Sequence, residues 1–321
     1  MLRSILVPLD GSWFAECALD VALPLARRAG ASLELIHVRA PDVYQAAIPM
    51  YEPRLDHELA ADDRRYLEGL AARVPPGVDV SSVVLVGAVL PSLSAHVARH
   101  EGALVVMTTH GRGGVSDRWL GSTADRLVRR SPTPVLLVRP HHASPPMAEP
   151  GLFRRILVPL DGRRHSEGVL SHAMSVAAPS DAELSLVTVV SPMTGRHPVS
   201  FPLARSSEIT LEAQAAAARE YLEWLVDRVQ LQGTRASAAV IVGSSPADAI
   251  LTHAHEHRAD LIALSARSRG PVSRLVLGSV ADKLVRGATV PILVAQPLPN
   301  GSRANGWTER GRRRVRTVAS R

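Results

Sequence analysis

Two segments of this chain are written twice. ILVPLDG, at Ile5 to Gly11, returns at Ile156 to Gly162, and LGSTADRLVR from Leu120 returns as LGSVADKLVR from Leu277. Between these landmarks the copies stay in step: Gly87 matches Gly243, Gly121 and Ser122 match Gly278 and Ser279, and TPVLLV from Thr133 matches VPILVA from Val290. The offset is 151 residues at the first landmark and 157 at the last. A repeat of that length is a domain and not a solenoid unit. The chain divides accordingly into a first domain over 1–139, a linker over 140–153, a second domain over 154–296 and a basic tail over 297–321. The linker, RPHHASPPMAEPGLF from Arg139 to Phe153, is marked by its prolines.

Within the first copy, apolar runs of strand length occur at Ile5 to Leu9, Leu33 to Val38, Val83 to Val86, Ala103 to Met107 and Pro134 to Val138. Helical periodicity separates them, over residues 14–29 with Pro24 expected to kink the helix, then 55–73, 91–100 and 117–130. The second copy repeats the series, with strands near Ile156 to Leu160, Leu184 to Val189, Ala238 to Val242, Leu261 to Leu264 and Pro291 to Ala295, and a long helix over 207–230. Strands alternating with helices build βαβ units, and hence an α/β fold with two tandem, doubly wound, parallel sheets. Pro41 to Arg54 and Ser191 to Ser206 resist the pattern. Both follow the second strand, where they read as variable loops over a site or as simple surface insertions.

Aromatic residues make up 3% of the chain, so the cores must be filled by Leu, Val, Ile and Ala. The single cysteine, Cys17, excludes a disulfide within the chain, and the N-terminal apolar run is too short for a signal sequence or a membrane span, so a cytoplasmic protein is expected. Of the formal charge of +7, the segment from Leu298 onward holds seven arginines against Glu309 alone. The folded body is therefore nearly neutral, which argues against a nucleic-acid interface there. The tail, with Trp307 among its arginines, has two readings: a disordered solubilising end, or a salt-sensitive contact to nucleic acid or an anionic surface.

The segment TTHGRGGVSDRWLGS, Thr108 to Ser122, leaves a buried strand and opens into a helix. Glycines there let the backbone approach a ligand, and a helix beginning at Gly121 and Ser122 presents unpaired N–H groups and its positive dipole end to an anion. Asp10 stands at the carboxyl end of the first strand, ahead of Gly11 and Ser12. A carboxylate there could accept from a ribose or an adenine amine, or could serve as the N-cap of the next helix. His96 and His100 lie four apart on one helix, with His253 and His257 at the matching positions and His255 between. Such a pair can hold a metal, but no Glu or Cys nearby in sequence completes a tetrahedral set, so a solvated helix face and no metal is the expectation.

The series ILVPLDGS, a strand ending at His37 and Val38, VGAVLP, TTHGRGG with nine residues to GS, and TPVLLV resembles the universal stress protein family, across both copies. The resemblance implies five-stranded parallel sheets of the adenine nucleotide alpha hydrolase-like type, pairing of the copies through their last strands near Val135 and Ile292, and bound ATP, with Mg2+ accompanying it. By position, Asp10 would meet the adenosine, Val38 the adenine through its backbone, and Thr108, His110, Gly111, Arg112, Gly121 and Ser122 would surround the phosphates. Asp161, Val189, Gly278 and Ser279 are the equivalents in the second copy. The family loop is G-x-x-G-x9-G-[ST]. Thr108 replaces its first glycine in copy one, whereas Ser265 and Ser268 replace both leading glycines in copy two. Pro271 opposite Gly114 means that position needs no positive φ, but Ser268 opposite Gly111 both costs energy in a left-handed conformation and fills space. Copy one is therefore expected to bind nucleotide better.

Enzyme readings fail on specifics. The chain has no G-x-G-x-x-G after its first strand, no G-x-x-x-x-G-K-[ST] and no G-x-S-x-G. The acidic candidate nearest the phosphates, Asp117, has Arg274 as its counterpart, and Arg267 replaces His110. Any ATP hydrolysis is expected to be slow and incidental. The functional expectation is an ATP-binding stress-response or signalling module, not an enzyme, with protein partners and a homodimer as further associations. The competing reading is an interaction scaffold that binds no nucleotide.

Overall fold

The computed structural model describes residues 2–40, 53–109, 120–139, 152–192, 210–266 and 277–296. The chain separates into two compact units, Met1–Leu152 and Phe153–Arg321. In the first, β1 (Ser4–Leu9) leads through α1 (Trp13–Glu16) and α2 (Leu19–Ala29) to β2 (Ser32–Arg39). Then come α3 (Pro53–Ala71), β3 (Val80–Val86), α4 (Val89–Val97), β4 (Ala103–Thr108), α5 (Ser122–Arg130) and β5 (Val135–Val138). All pairings in this unit are parallel, in the order β3-β2-β1-β4-β5. The order reverses between β1 and β4, and the crevice at their carboxyl ends is where doubly wound sheets take ligands.

The second unit repeats the plan with β6 (Arg155–Pro159), α6 (Arg164–Glu167), α7 (Val169–Ala177), β7 (Glu183–Val190), α8 (Leu211–Gln230) and β8 (Ala236–Val242). It continues with α9 (Pro246–Glu256), β9 (Leu261–Ser265), α10 (Ser279–Gly287) and β10 (Ile292–Ala295). Its parallel order is β8-β7-β6-β9-β10. Helices cover both faces of each sheet, so central strands read as continuous apolar runs: Ile5, Leu6 and Val7 are fully buried, as are Val105, Val106 and Leu136. Truncating one such side chain, as in Leu6→Ala, costs about 2–5 kcal/mol.

The duplicated sequence produces duplicated local chemistry. Asp125 sits in the first turn of α5 and pairs with Arg129 at 2.8 Å; Asp282 and Arg286 do the same in α10 at 2.9 Å. Each pair also sets a carboxylate near a helix N-terminus and a cation near its end, the favourable sense for the dipole. Tyr66 of α3 donates to Glu16 of α1 at 3.2 Å, and Tyr221 of α8 donates to Glu167 of α6 at the same distance.

One expectation needs correction. The helix over 14–29 is interrupted at Cys17–Ala18, while α2 continues through Pro24. α1 is a single turn set by the Ser12 cap, and Pro24 leaves one i→i−4 bond of α2 unmade without ending it.

Candidate functional site

Both first strands end in the same turn. In the first unit Gly11 takes φ 79°, which turns the Ser12 N–H back to donate to Asp10 Oδ1 at 3.0 Å. In the second, Gly162 takes φ 75° and the Arg163 N–H donates to Asp161 Oδ1 at 3.1 Å. A side chain at either glycine would force a left-handed conformation that only glycine adopts cheaply. The cap of α1 is Ser12, whose Oγ accepts from the Ala15 N–H at 3.2 Å. Asp10 stands behind that cap, accepting from the Ser12 hydroxyl at 2.5 Å. The carboxylate thus orients the turn and lies at the switch point at once.

Val38 follows His37 at the carboxyl end of β2. Leu9 and His37 are register partners, and His37 Nδ1 lies 2.8 Å from the Leu9 carbonyl. A carbonyl only accepts, so Nδ1 carries the hydrogen and Nε2 faces Asp63, 3.5 Å away. In the second unit Thr188 occupies the equivalent place and donates to the Leu160 carbonyl at 3.0 Å. Two different side chains thus tie the ends of the first two strands together in the same way.

At the other lip of the first crevice, Thr108 ends β4 and Thr109 donates to the Val138 carbonyl at 2.9 Å. The Gly121 N–H donates to the Thr109 carbonyl at 2.7 Å, drawing the start of α5 back to the end of β4. Gly121 is the N-cap, and no side chain caps the helix that Ser122 begins. His110, Gly111 and Arg112 lie outside the described residues, as do Asp117, Arg267, Ser268, Pro271, Arg274, most of both irregular loops, the linker core and the arginine tail.

In the second unit the residues predicted from sequence meet in one place. Asp161, Val189, Gly278 and Ser279 all line a cavity of about 190 Å3, with Leu160, Ile250, Leu264 and Leu284 as apolar wall. Gly278, like Gly121, is an N-cap that lends its helix no side-chain bond. His165 and Ser265, which the sequence did not assign to binding, also line this cavity. His165 Nε2 lies 3.5 Å from Asp161 Oδ2, and the Ser265 hydroxyl donates to the His165 carbonyl at 2.6 Å. The serine at the first glycine position is thus turned onto the backbone of α6. Phe14 stands in the first unit at the position His165 holds here.

The paired histidines depart from expectation. His96 and His100 do not form a merely solvated face, because the fold brings Glu34 of β2 against them: His96 Nε2 lies 2.8 Å and His100 Nε2 3.6 Å from Glu34 Oε2. Sequence proximity could not reveal this partner, 62 residues from His96.

Among the described residues, no helix is long and apolar enough to cross a membrane. The Universal stress protein family model matches residues 1–139 and 152–296. A universal stress protein of Mycobacterium tuberculosis is 25% identical over 301 residues, covering 92% of this chain and 97% of its own. One from Thermus aquaticus is 32% identical over 139 residues, which is 43% of this chain and 100% of that protein. Among solved structures, a universal stress protein from Archaeoglobus fulgidus superposes with a TM-score of 0.67 at 19% identity, over 92% of this chain and 98% of that one. With matches over both halves and the duplicated parallel α/β fold, the chain belongs to the universal stress protein family and carries two of its domains in tandem.

Proposed function

We propose that this protein binds adenine nucleotide at the carboxyl edge of its sheets and acts as a cytoplasmic stress-response module, with the first domain the tighter site. The observation that carries the reading is the second-domain cavity, where an orienting carboxylate, the end of the second strand and a helix start without a side-chain cap meet around about 190 Å3. That volume lies below the roughly 300 Å3 at which ligand pockets begin. It suits the base-and-sugar end of a nucleotide, and the dipole at Gly278 and Ser279 suits the phosphates. The first domain carries the same carboxylate turn and the same kind of helix start, and it keeps Gly111 where the second has Ser268. Mg2+ would accompany the phosphates, which prefer a cation carrying its own waters.

Binding, and not catalysis, is the role favoured by the chemistry present. Asp10 and Asp161 each brace their own turn, and burial pushes the Cys17 thiol above its ordinary value, away from a reactive thiolate. The second reading, a docking scaffold, draws on one observation: Val86 and Val242, at matching ends of β3 and β8, are 63% and 56% exposed. Protein partners or a second copy of the chain would be its ligands, and the cationic arginine tail would add contact to an anionic surface.

The test is nucleotide content and stoichiometry. Freshly purified protein is denatured, released nucleotide is identified, and stripped protein is titrated with ATP by calorimetry. One tight equivalent per chain, weakened about tenfold or more by Asp10→Ala, is the expected result. No saturable binding by folded protein would sink the nucleotide reading and leave the scaffold.

A further inference from the structure

Glu34 is the acidic residue of a strand, SLELIHVR, whose other members are mostly buried. Its register neighbours are Leu6, fully buried on β1, and Ser81 on β3. A carboxylate in such a strand is costly unless something compensates its charge. The compensation comes from the end of α4, where His96 lies in the last turn and His100 just beyond. The coordinating atoms of Glu34, His96 and His100 all lie within 4.8 Å of one another.

The orientation of His100 is informative. Its Nδ1 lies 3.0 Å from the His96 carbonyl, so that nitrogen is the donor. In the neutral ring the lone pair then sits on Nε2, which faces Glu34 Oε2 at 3.6 Å. A lone pair directed at a carboxylate calls for a positive charge between them, which a proton or a metal ion bound to both can supply. A histidine whose outer nitrogen is held by a backbone carbonyl is also the arrangement that orients metal-binding imidazoles. The negative end of the α4 dipole adds to the attraction for a cation.

We propose that Glu34, His96 and His100 form a binding site for a divalent cation of the zinc type, distinct from the nucleotide cleft. Two imidazoles and a carboxylate are a ligand set that zinc takes with a fourth position open. Zinc bonds of 2.0–2.2 Å at tetrahedral angles set ligand atoms about 3.3 Å apart. The two separations to Glu34, 2.8 and 3.6 Å, bracket that value, and the third lies within 4.8 Å, a gap that rotation of the two imidazoles about their side-chain bonds can close. The His100 side chain is 31% exposed, which leaves an entry path and room for a water as fourth ligand. Glu34 precedes Val38 by four residues, about 13 Å along an extended strand, so the site lies toward the opposite end of β2 from the candidate cleft.

The second domain supplies an internal control. His253 and His257 stack with ring centroids 4.0 Å apart, but Ser185 occupies the register position of Glu34. Burial, and then the neighbouring His257, hold His253 below its ordinary value, as expected of an imidazole pair without a carboxylate between them.

The experiment titrates metal-stripped, full-length protein with Zn2+ by calorimetry and, separately, with Co2+ while visible absorption is recorded. One tight equivalent is expected, with the intense Co2+ bands of a four-coordinate site and a raised melting temperature. Glu34→Gln and His100→Gln should each weaken that equivalent at least tenfold and remove the bands, while His253→Asn/His257→Asn leaves both unchanged. Melting curves of the metal-free variants establish that they are folded, and the two single variants serve even if His96→Asn fails to fold. Unchanged tight binding in folded Glu34→Gln and His100→Gln, loss of it in the second-domain variant, or no tight equivalent in the wild type would overturn the proposal.

Discussion

The two domains share one fold and one turn chemistry, yet they differ at the positions where chemistry would occur. In the first, Asp10 has Ser12 as its partner and Phe14 two residues further; in the second, Asp161 has Arg163 at 3.9 Å and His165 at 3.5 Å. The leading glycine positions are Thr108 and Gly111 in one and Ser265 and Ser268 in the other. At the opposite sheet edge, Glu34 faces paired imidazoles in the first domain, while Ser185 holds that place in the second. Shared positions are those that hold strands and turns together. The divergent ones line clefts or surfaces, where a substitution changes what is bound without unfolding the domain.

The largest expected difference between the domains is at the glycines that follow their third strands. Gly87 has φ 140°, and a Cβ added there would come 2.7 Å from Ser92 Oγ, so Gly87→Ala should cost about 3 kcal/mol through strain and overlap together. Gly243 lacks the positive φ, and its added Cβ would meet the Ala249 Cβ at 3.0 Å, so Gly243→Ala should cost about 1 kcal/mol. Denaturant unfolding of both variants checks this, and equal costs would contradict it.

Next in size is the nucleotide asymmetry. Removing a charged, half-buried acceptor that bonds a ligand typically forfeits about 1.5–3 kcal/mol. Asp10→Ala should therefore weaken the tight ATP equivalent by about tenfold or more in calorimetry. Asp161→Ala should leave that equivalent untouched; the reverse pattern would assign the tight site to the second domain. Smaller again is the gain from restoring glycine. Ser265→Gly/Ser268→Gly frees the space of the Ser265 side chain in the cavity and restores the glycines of the family loop, so second-domain ATP affinity should rise roughly fivefold. No gain would mean that the serines are not what separates the clefts.

The smallest effect concerns pH. Val21 is a buried apolar residue of α2, and His172 takes its place in α7. Burial pushes His172 below its ordinary value of 6.5, so the folded state resists protonation that the unfolded chain accepts. Stability is then unaffected above pH 6.5 and falls as pH drops below it, until the depressed folded value is passed. His172→Val should flatten the decline of the second domain's melting temperature between about pH 6.5 and 5, relative to its own value at pH 8. An unaltered acid limb would assign that decline to other groups.

The parallel strands were legible because both faces of each sheet are covered, and a strand buried on both faces must be a continuous apolar run. Their ends match the sequence expectation to within three residues, Val83 against an observed start at Val80 being the widest miss. The long helices over 55–73 and 207–230 were legible from periodicity and appear as Pro53–Ala71 and Leu211–Gln230. The break at Cys17–Ala18 was not, because Pro24 is the stronger local signal and the single-turn α1 depends on the Ser12 cap. Of the candidate cleft, Asp161, Val189, Gly278 and Ser279 came from the family resemblance carried to the second copy by position, and the structure places all four around one cavity. His165 was hidden, because its role depends on the helix turn that carries it toward Asp161.

By itself, the sequence determined the duplication, the α/β class, the parallel sheets and the glycine turns, all consequences of local periodicity and backbone preference acting over a few residues. Only the tertiary structure decided that Glu34 meets His96 and His100, that His37 and Thr188 perform the same tie, and that Tyr66 and Tyr221 each reach a glutamate 50 and 54 residues away. Those contacts join different βαβ units, and their pairing is set by sheet register and helix packing, which no local pattern of side chains encodes.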